Sequence, residues 1–227
     1  MVLANLFHDN KNGDLFTEVD HGPTTIGNNI MLSGLKANSA GGAYVHNMVA
    51  AKVVDIGPDS RLTPSLVAHE TDIAAVVRAD NGDHRFYNNL VVGPAGFAIF
   101  NRSVRPCFGS GSVYTGNSTG PSRFETGVVV APAFNAGVAL TEGAGGVWTL
   151  EVELDAAWAS QPRVLVTTTL LGNASIPNQA YTRADNSSFA IDADYFGAPR
   201  DASSPKPGPL ETSGAVKVQV WPKPATI

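Results

Sequence analysis

The sequence predicts an all-β protein: coils of a parallel β-helix, followed by strands of a β-sandwich. Three observations carry this. Amphipathic helical periodicity is nearly absent, and only residues 154–160 (Leu-Asp-Ala-Ala-Trp-Ala-Ser) could turn helically. Val, Ile, Thr and Phe sit in short runs punctuated by 23 Gly and 15 Pro. An Asn followed by an apolar strand recurs at Asn5-Leu6-Phe7, Asn29-Ile30-Met31, Asn47-Met48-Val49 and Asn89-Leu90-Val91. Such spacing suits successive coils that stack their Asn side chains in a ladder, since amides can hydrogen-bond along the stack. A sandwich with Asn in its turns is the alternative.

The long step from Asn47 to Asn89 leaves room for two coils or for one coil with an excursion. Turn signals across residues 55–84 (Gly-Pro-Asp-Ser, Thr-Pro-Ser, Asp-Asn-Gly-Asp) favour the excursion. Between residues 93 and 126 the pattern loosens into degraded last coils or a cap. The helix is expected over residues 1–140 and sandwich strands over 141–227. The strands are residues 147–154, which alternate cleanly, then 164–171, 189–191 and 216–220. The Pro- and Ser-rich stretch 197–209 is expected to wrap over a neighbouring surface.

Composition narrows the function. A net charge of −5 with no long basic run argues against a nucleic-acid partner. No apolar run is long enough to span a bilayer, and the first residues do not read as a signal peptide, so a cytoplasmic protein is expected. The one cysteine, Cys107, is expected as a free buried thiol, and the five scattered His residues make no metal signature. Neither a metal nor a cofactor is expected.

The richest stretch for chemistry is residues 14–23, Asp-Leu-Phe-Thr-Glu-Val-Asp-His-Gly-Pro. Strand alternation points Leu15, Thr17 and Val19 one way and Asp14, Phe16, Glu18 and Asp20 the other. Three carboxylates, an aromatic and a nearby imidazole are what a sugar-hydrolysing groove needs, although a solvated strand face has the same composition. Asp14 and Glu18 would stand roughly 13 Å apart, too far to act as a pair. Glu18 and Asp20 would stand about 7 Å apart, at the near edge of the inverting range. A carboxylate stacked on Glu18 from the preceding coil would give the retaining separation of roughly 5 Å, and by the chain's own repeat it would fall at or before Met1. Asp83-His84-Arg85 could hold a sugar hydroxyl, or form an ion pair in a structural turn.

These motifs carry a resemblance. Residues 14–23, 28–33, 41–47, 83–89, 176–181 and 194–197 resemble, in order, the C-terminal part of the β-helix β-xylosidases, glycoside hydrolase family 120. The resemblance implies a right-handed parallel β-helix with an attached β-sandwich, and retaining hydrolysis of β-xylosides and xylo-oligosaccharides by two carboxyl groups. In the family's Glu-Val-Asp/Asn-His-Gly-Pro motif the Glu is the general acid/base, which here is Glu18. The family's nucleophile is an Asp about one coil earlier, for which this chain offers no matching segment. Asp14, Asp20, His21 and Arg85 are then expected in supporting or sugar-contacting roles. Self-association through the open N-terminal edge is expected as well. The alternative is a non-catalytic carbohydrate-binding or structural remnant of the same lineage.

Overall fold

The computed structural model describes residues 1–224. Its first part is a parallel solenoid of about six turns. One face is built from Val2–Leu3, Thr24–Gly27, Gly42–Val45, Arg85–Tyr87, Phe108–Ser110 and Glu125–Thr126. A second face is built from Leu6–Phe7, Ile30–Met31, Met48–Val49, Leu90–Val92, Val113–Thr115 and Val129–Ala131. A third face holds Leu15–Glu18, Leu35–Asn38 and Val53–Asp55. Ile30, Met48, Leu90 and Val113 stack in register, one per coil.

The corner between the first and second faces explains the Asn repeat. The backbone turns there through a left-handed residue in each coil: Ala4, Asn28, His46, Asn88 and Gly111 all have φ between +52° and +75°. Gly and Asn suit that conformation best. The next residue points inward as a ladder rung. Asn29 Oδ1 accepts from the backbone N–H and the Nδ2 of Asn5, both at 3.0 Å. Asn47 Oδ1 serves Asn29 in the same way at 3.0 Å, and Asn89 Oδ1 serves Asn47 at 3.0 and 3.1 Å. The remaining amide hydrogens of these rungs reach Val2 O, Ile26 O and Tyr44 O. Each buried amide is therefore satisfied, as burial requires.

Inside the coils runs a row of aromatics. Tyr44 stacks on Phe86 at 5.7 Å, Phe86 on Phe97 at 4.4 Å, and Phe97 meets Tyr114 edge-on. The coils do not degrade after residue 93 as the looser sequence suggests. The first and second faces continue to Val129–Ala131, and only the third face changes, where a 3-10 helix, Ala98–Arg102, takes the place of a strand. Its Phe100 side chain fills the core from that helix. The excursion is an antiparallel hairpin, Leu62–Leu66 with Ile73–Arg78. Buried Asp55 at its base accepts from Asn81 Nδ2 at 2.9 and 3.1 Å.

The C-terminal region differs in part from the expectation. Ala139–Glu142, Trp148–Leu154 and Gly214–Trp221 form one three-stranded antiparallel sheet. Its inner residues Leu150, Val152, Leu154 and Val220 pack on Ile30, Met48, Leu90 and Val113, so the opposing layer is the solenoid's own second face. Residues 164–171 are apolar as read but do not form a strand. Only a single antiparallel bridge, Thr167 to Ala190, joins them to residues 189–191, and Thr168–Leu171 coils into one helical turn capped by Thr167. This segment buries Val166 and Leu171 against Ala43 and Val45 of the first face, and the packing does not require a ladder. The stretch 197–209 does wrap over the corner line. Arg200 Nη2 donates to Asn28 Oδ1 at 2.8 Å, and Gly208 N–H donates to Asn88 O at 2.8 Å.

Three buried titratable groups make stability depend on pH. His46 Nδ1 lies 3.0 Å from Lys206 O, and its Nε2 lies 3.1 Å from Asn88 Nδ2. The network assigns the neutral tautomer, with Nδ1–H donating and Nε2 accepting. Burial, with Arg200 nearby, holds its pKa well below the ordinary value, and burial beside Arg85 takes His84 down to about 3. A base depressed on folding stabilises above its unfolded value and loses that contribution as pH falls. Glu125 acts in the opposite sense. Burial raises it from 4.5 to about 7, against hydrogen bonds from Tyr114 Oη at 2.6 Å and Ser122 N–H at 2.9 Å. Its contribution is full below pH 4.5 and is lost as pH rises through about 7. Glu125→Gln keeps both accepted bonds and is expected to gain on the order of 3 kcal/mol over the parent at pH 8, with the gain vanishing below about pH 4.5. Urea denaturation at the two pH values checks this, and an equal effect at both would refute it.

Candidate functional site

The strand Leu15–Glu18 alternates as read. Thr17 is buried against Ser39 Oγ at 2.8 Å, while Phe16 and Glu18 face out. The alternation stops at Val19, whose φ is +47°. A β-branched residue in that region is a genuine outlier that stores about 1–3 kcal/mol of strain. The turn it makes takes Asp20 off the outer face. The Asp20 carboxylate accepts from Gly22 N–H at 2.9 Å and from Thr24 Oγ1, and so closes the turn. His21 turns inward and is buried, with Nε2 2.8 Å from Thr63 Oγ1 and Nδ1 without a hydrogen-bond partner. Gly22 is required here: its φ is +70°, and an added Cβ would stand 2.5 Å from Gly41 O of the next coil.

Glu18 meets a partner that local sequence gives no sign of. Its Oε1 accepts from Arg61 Nη1 and Nη2, each at 3.2 Å. Arg61 is held in turn by Asp59. The Asp59 carboxylate takes the Arg61 backbone N–H at 2.8 Å, Nε at 2.9 Å and Nη2 at 2.6 Å. Those hydrogen bonds hold Asp59 well below the usual carboxylate range and push the Arg61 guanidinium further up.

Beside this group lies a cleft of about 300 Å³. The turn at Asp20, His21 and Gly22 forms one wall, the hairpin residues Pro64, Leu66 and His69 form another, and Gln179 adds to the lining. The hairpin is tied down by Gln179 Nε2 donating to Leu66 O at 2.7 Å and by His69 Nε2 lying 2.9 Å from Thr182 Oγ1. The volume falls at the small end of ligand sites and suits one sugar ring.

The structure thus brings Asp20 and His21 to one cleft, and Glu18 precedes the lining residue Val19 in the chain without itself lining the cleft. Asp14 and Arg85 lie elsewhere. Asp14 accepts from Asn10 Nδ2 at 2.8 Å and from Ser33 N–H at 2.6 Å, which fixes a loop. Arg85 is buried, paired with Asp83 at 2.8 Å and donating to Leu171 O and Asn173 O. Its donors fasten the 171–173 segment to the helix. Thr63, Asp59, Arg61 and the hairpin wall escape a sequence reading, because they reach the site only through the outgoing arm of the excursion, with Arg61 43 residues from Glu18 and Thr63 42 residues from His21. Burial raises the Cys107 thiol to about 11, which suits an inert core residue. Among the described residues no cluster of His, Cys, Asp or Glu could hold a metal, and no helix is long and apolar enough to cross a membrane.

By its likeness to a solved structure, the fold is that of a glycoside-hydrolase-like β-helix. The particular likeness is to a solved structure of XylC in complex with xylose. The match has a TM-score of 0.87 and 26% sequence identity, and it covers 97% of this chain. It supports the family resemblance read from the motifs. The chain spans 39% of the length of XylC. No protein-family model and no curated protein sequence matches it.

Proposed function

We propose that the chain belongs to a retaining glycoside hydrolase of β-xylosidase type, acting on β-xylosides and short xylo-oligosaccharides. The likeness to a xylose complex over nearly the whole chain supports this reading. In it, Glu18 is the general acid/base, and Asp20 and His21 shape the sugar cleft. Asp14 and Arg85 support the scaffold. Glu18 donates its proton to the glycosidic oxygen as the C–O bond breaks, then takes a proton from the attacking water. Retention needs a second carboxyl group about 5 Å away. The strand Leu15–Glu18 ends its three-stranded sheet, so a strand stacked on its free side, from the same chain or a second copy, would deliver one at that spacing.

The first-formed product anomer tests this in the full-length protein. A β-anomer, followed by NMR before mutarotation, agrees with retention. An α-anomer points to a partner about 7 Å or more from Glu18 and refutes it. The second reading, a sugar-binding or structural remnant, is favoured by the engagement of the Asp14 and Asp20 carboxylates in turns. It predicts xylose binding with no hydrolysis.

A further inference from the structure

We infer that Arg61, anchored by Asp59, is a positioning residue that fixes the Glu18 carboxylate for proton transfer. The inference deepens the reading of Glu18 as the acid/base and rests on it. The geometry is asymmetric. Both guanidinium nitrogens that reach Glu18 go to Oε1, at 3.2 Å each, and Oε2 takes no hydrogen bond from the described residues. One oxygen is clamped and the other is left to carry the exchanging proton.

The clamp is itself prearranged. One carboxylate, Asp59, holds Arg61 at its backbone N–H, Nε and Nη2. The backbone at this point is fixed by Asp59 N–H donating to Ala79 O at 2.8 Å and by Ala79 N–H donating to Arg61 O at 3.1 Å. A planar fork fixed at its base locates the one oxygen it holds more narrowly than a flexible ammonium does. The bland alternative is an ordinary surface ion pair. Both Glu18 and Arg61 are 48% exposed, and a pair so hydrated contributes little to stability. Stability alone therefore gives little reason for an excursion of this length to return its first arginine to Glu18. The Asp59 anchor leaves that arginine little freedom to adopt other rotamers. A rigid side chain directed at a group that must exchange a proton is what positioning for catalysis requires.

The test uses the full-length protein and two substrates. Xylobiose has a poor leaving group that needs protonation, and 2,4-dinitrophenyl β-xyloside has a good one that needs little. Arg61→Met is expected to lower kcat on xylobiose by about tenfold or more, a part of the 10²- to 10⁴-fold that the acid supplies. KM on xylobiose should change little, and the dinitrophenyl substrate should lose much less in kcat/KM, which reports its first step alone. Arg61→Lys should recover part of the loss, and Asp59→Asn should fall between. In a Glu18→Gln background Arg61→Met should add almost nothing, because the two act as a unit.

Equal losses of kcat/KM on both substrates would identify a purely structural role and overturn the assignment. So would full xylobiose activity in Arg61→Met when Glu18→Gln is inactive. If Glu18→Gln is itself fully active, the reading of Glu18 fails and the clamp fails with it. All these side chains are partly or well exposed, so a melting temperature near that of the parent shows that the variants are folded.

Discussion

Glu18→Gln is expected to lower the hydrolysis of a non-activated xyloside by about 10²- to 10⁴-fold. The amide keeps the shape and still accepts from Arg61, but it has no proton to give. Leaving-group departure then proceeds without its acid. Activated aryl xylosides should lose less in the first step. Their second step still lacks a base, so a glycosyl intermediate should accumulate and appear as a burst. A variant that retains full rate on xylobiose would show that the likeness to XylC extends to fold alone.

Asn47→Ala is expected to cost roughly 2–6 kcal/mol of stability. Asn47 is fully buried, and its Oδ1 is the acceptor for both the backbone N–H and the Nδ2 of Asn29. Removing it orphans two buried donors at about 1–3 kcal/mol each. A typical domain has only about 5–15 kcal/mol in total, so this one change threatens the fold. Asn5→Ala should cost far less, since Asn5 is the outermost rung, partly exposed, and chiefly a donor. Asn47→Asp keeps the acceptor but loses the donations to Ile26 O and Asn89 Oδ1 and buries a carboxylate against both, and should cost at least as much as Asn47→Ala. Urea midpoints across the three variants check the order. Equal costs for Asn5→Ala and Asn47→Ala would show that the ladder is not a buried unit.

What the sequence reveals and conceals follows from range. The Asn rungs were legible because each coil repeats one local rule, a left-handed residue followed by an inward amide. Residues 14–18 were legible because their alternation is local too. It failed at Val19, whose left-handed turn is the least expected for a β-branched side chain, and this took Asp20 out of line with Glu18. The 164–171 segment was read correctly as buried and wrongly as a strand, since apolar content alone does not set the period. Arg61 lies 43 residues from Glu18 and Arg85 lies 86 residues from its acceptor Leu171. Neither contact leaves a trace in spacing. The Arg85 motif looked chemical because an ion pair holding a segment and an ion pair holding a sugar use the same residues.

The ladder has a consequence for change over time and for engineering. Successive rungs are 24, 18, 42 and 23 residues apart, the last ending on Ser112. The stack registers one residue per coil and is indifferent to the path between rungs. A coil can therefore be lengthened at the corner between its third face and the first face of the next coil, without shifting its neighbours, as the 42-residue coil already shows. That corner is where the cleft wall and the Glu18 clamp hang. Hairpins of other length or composition can be grafted there to reshape the cleft while the scaffold keeps its count.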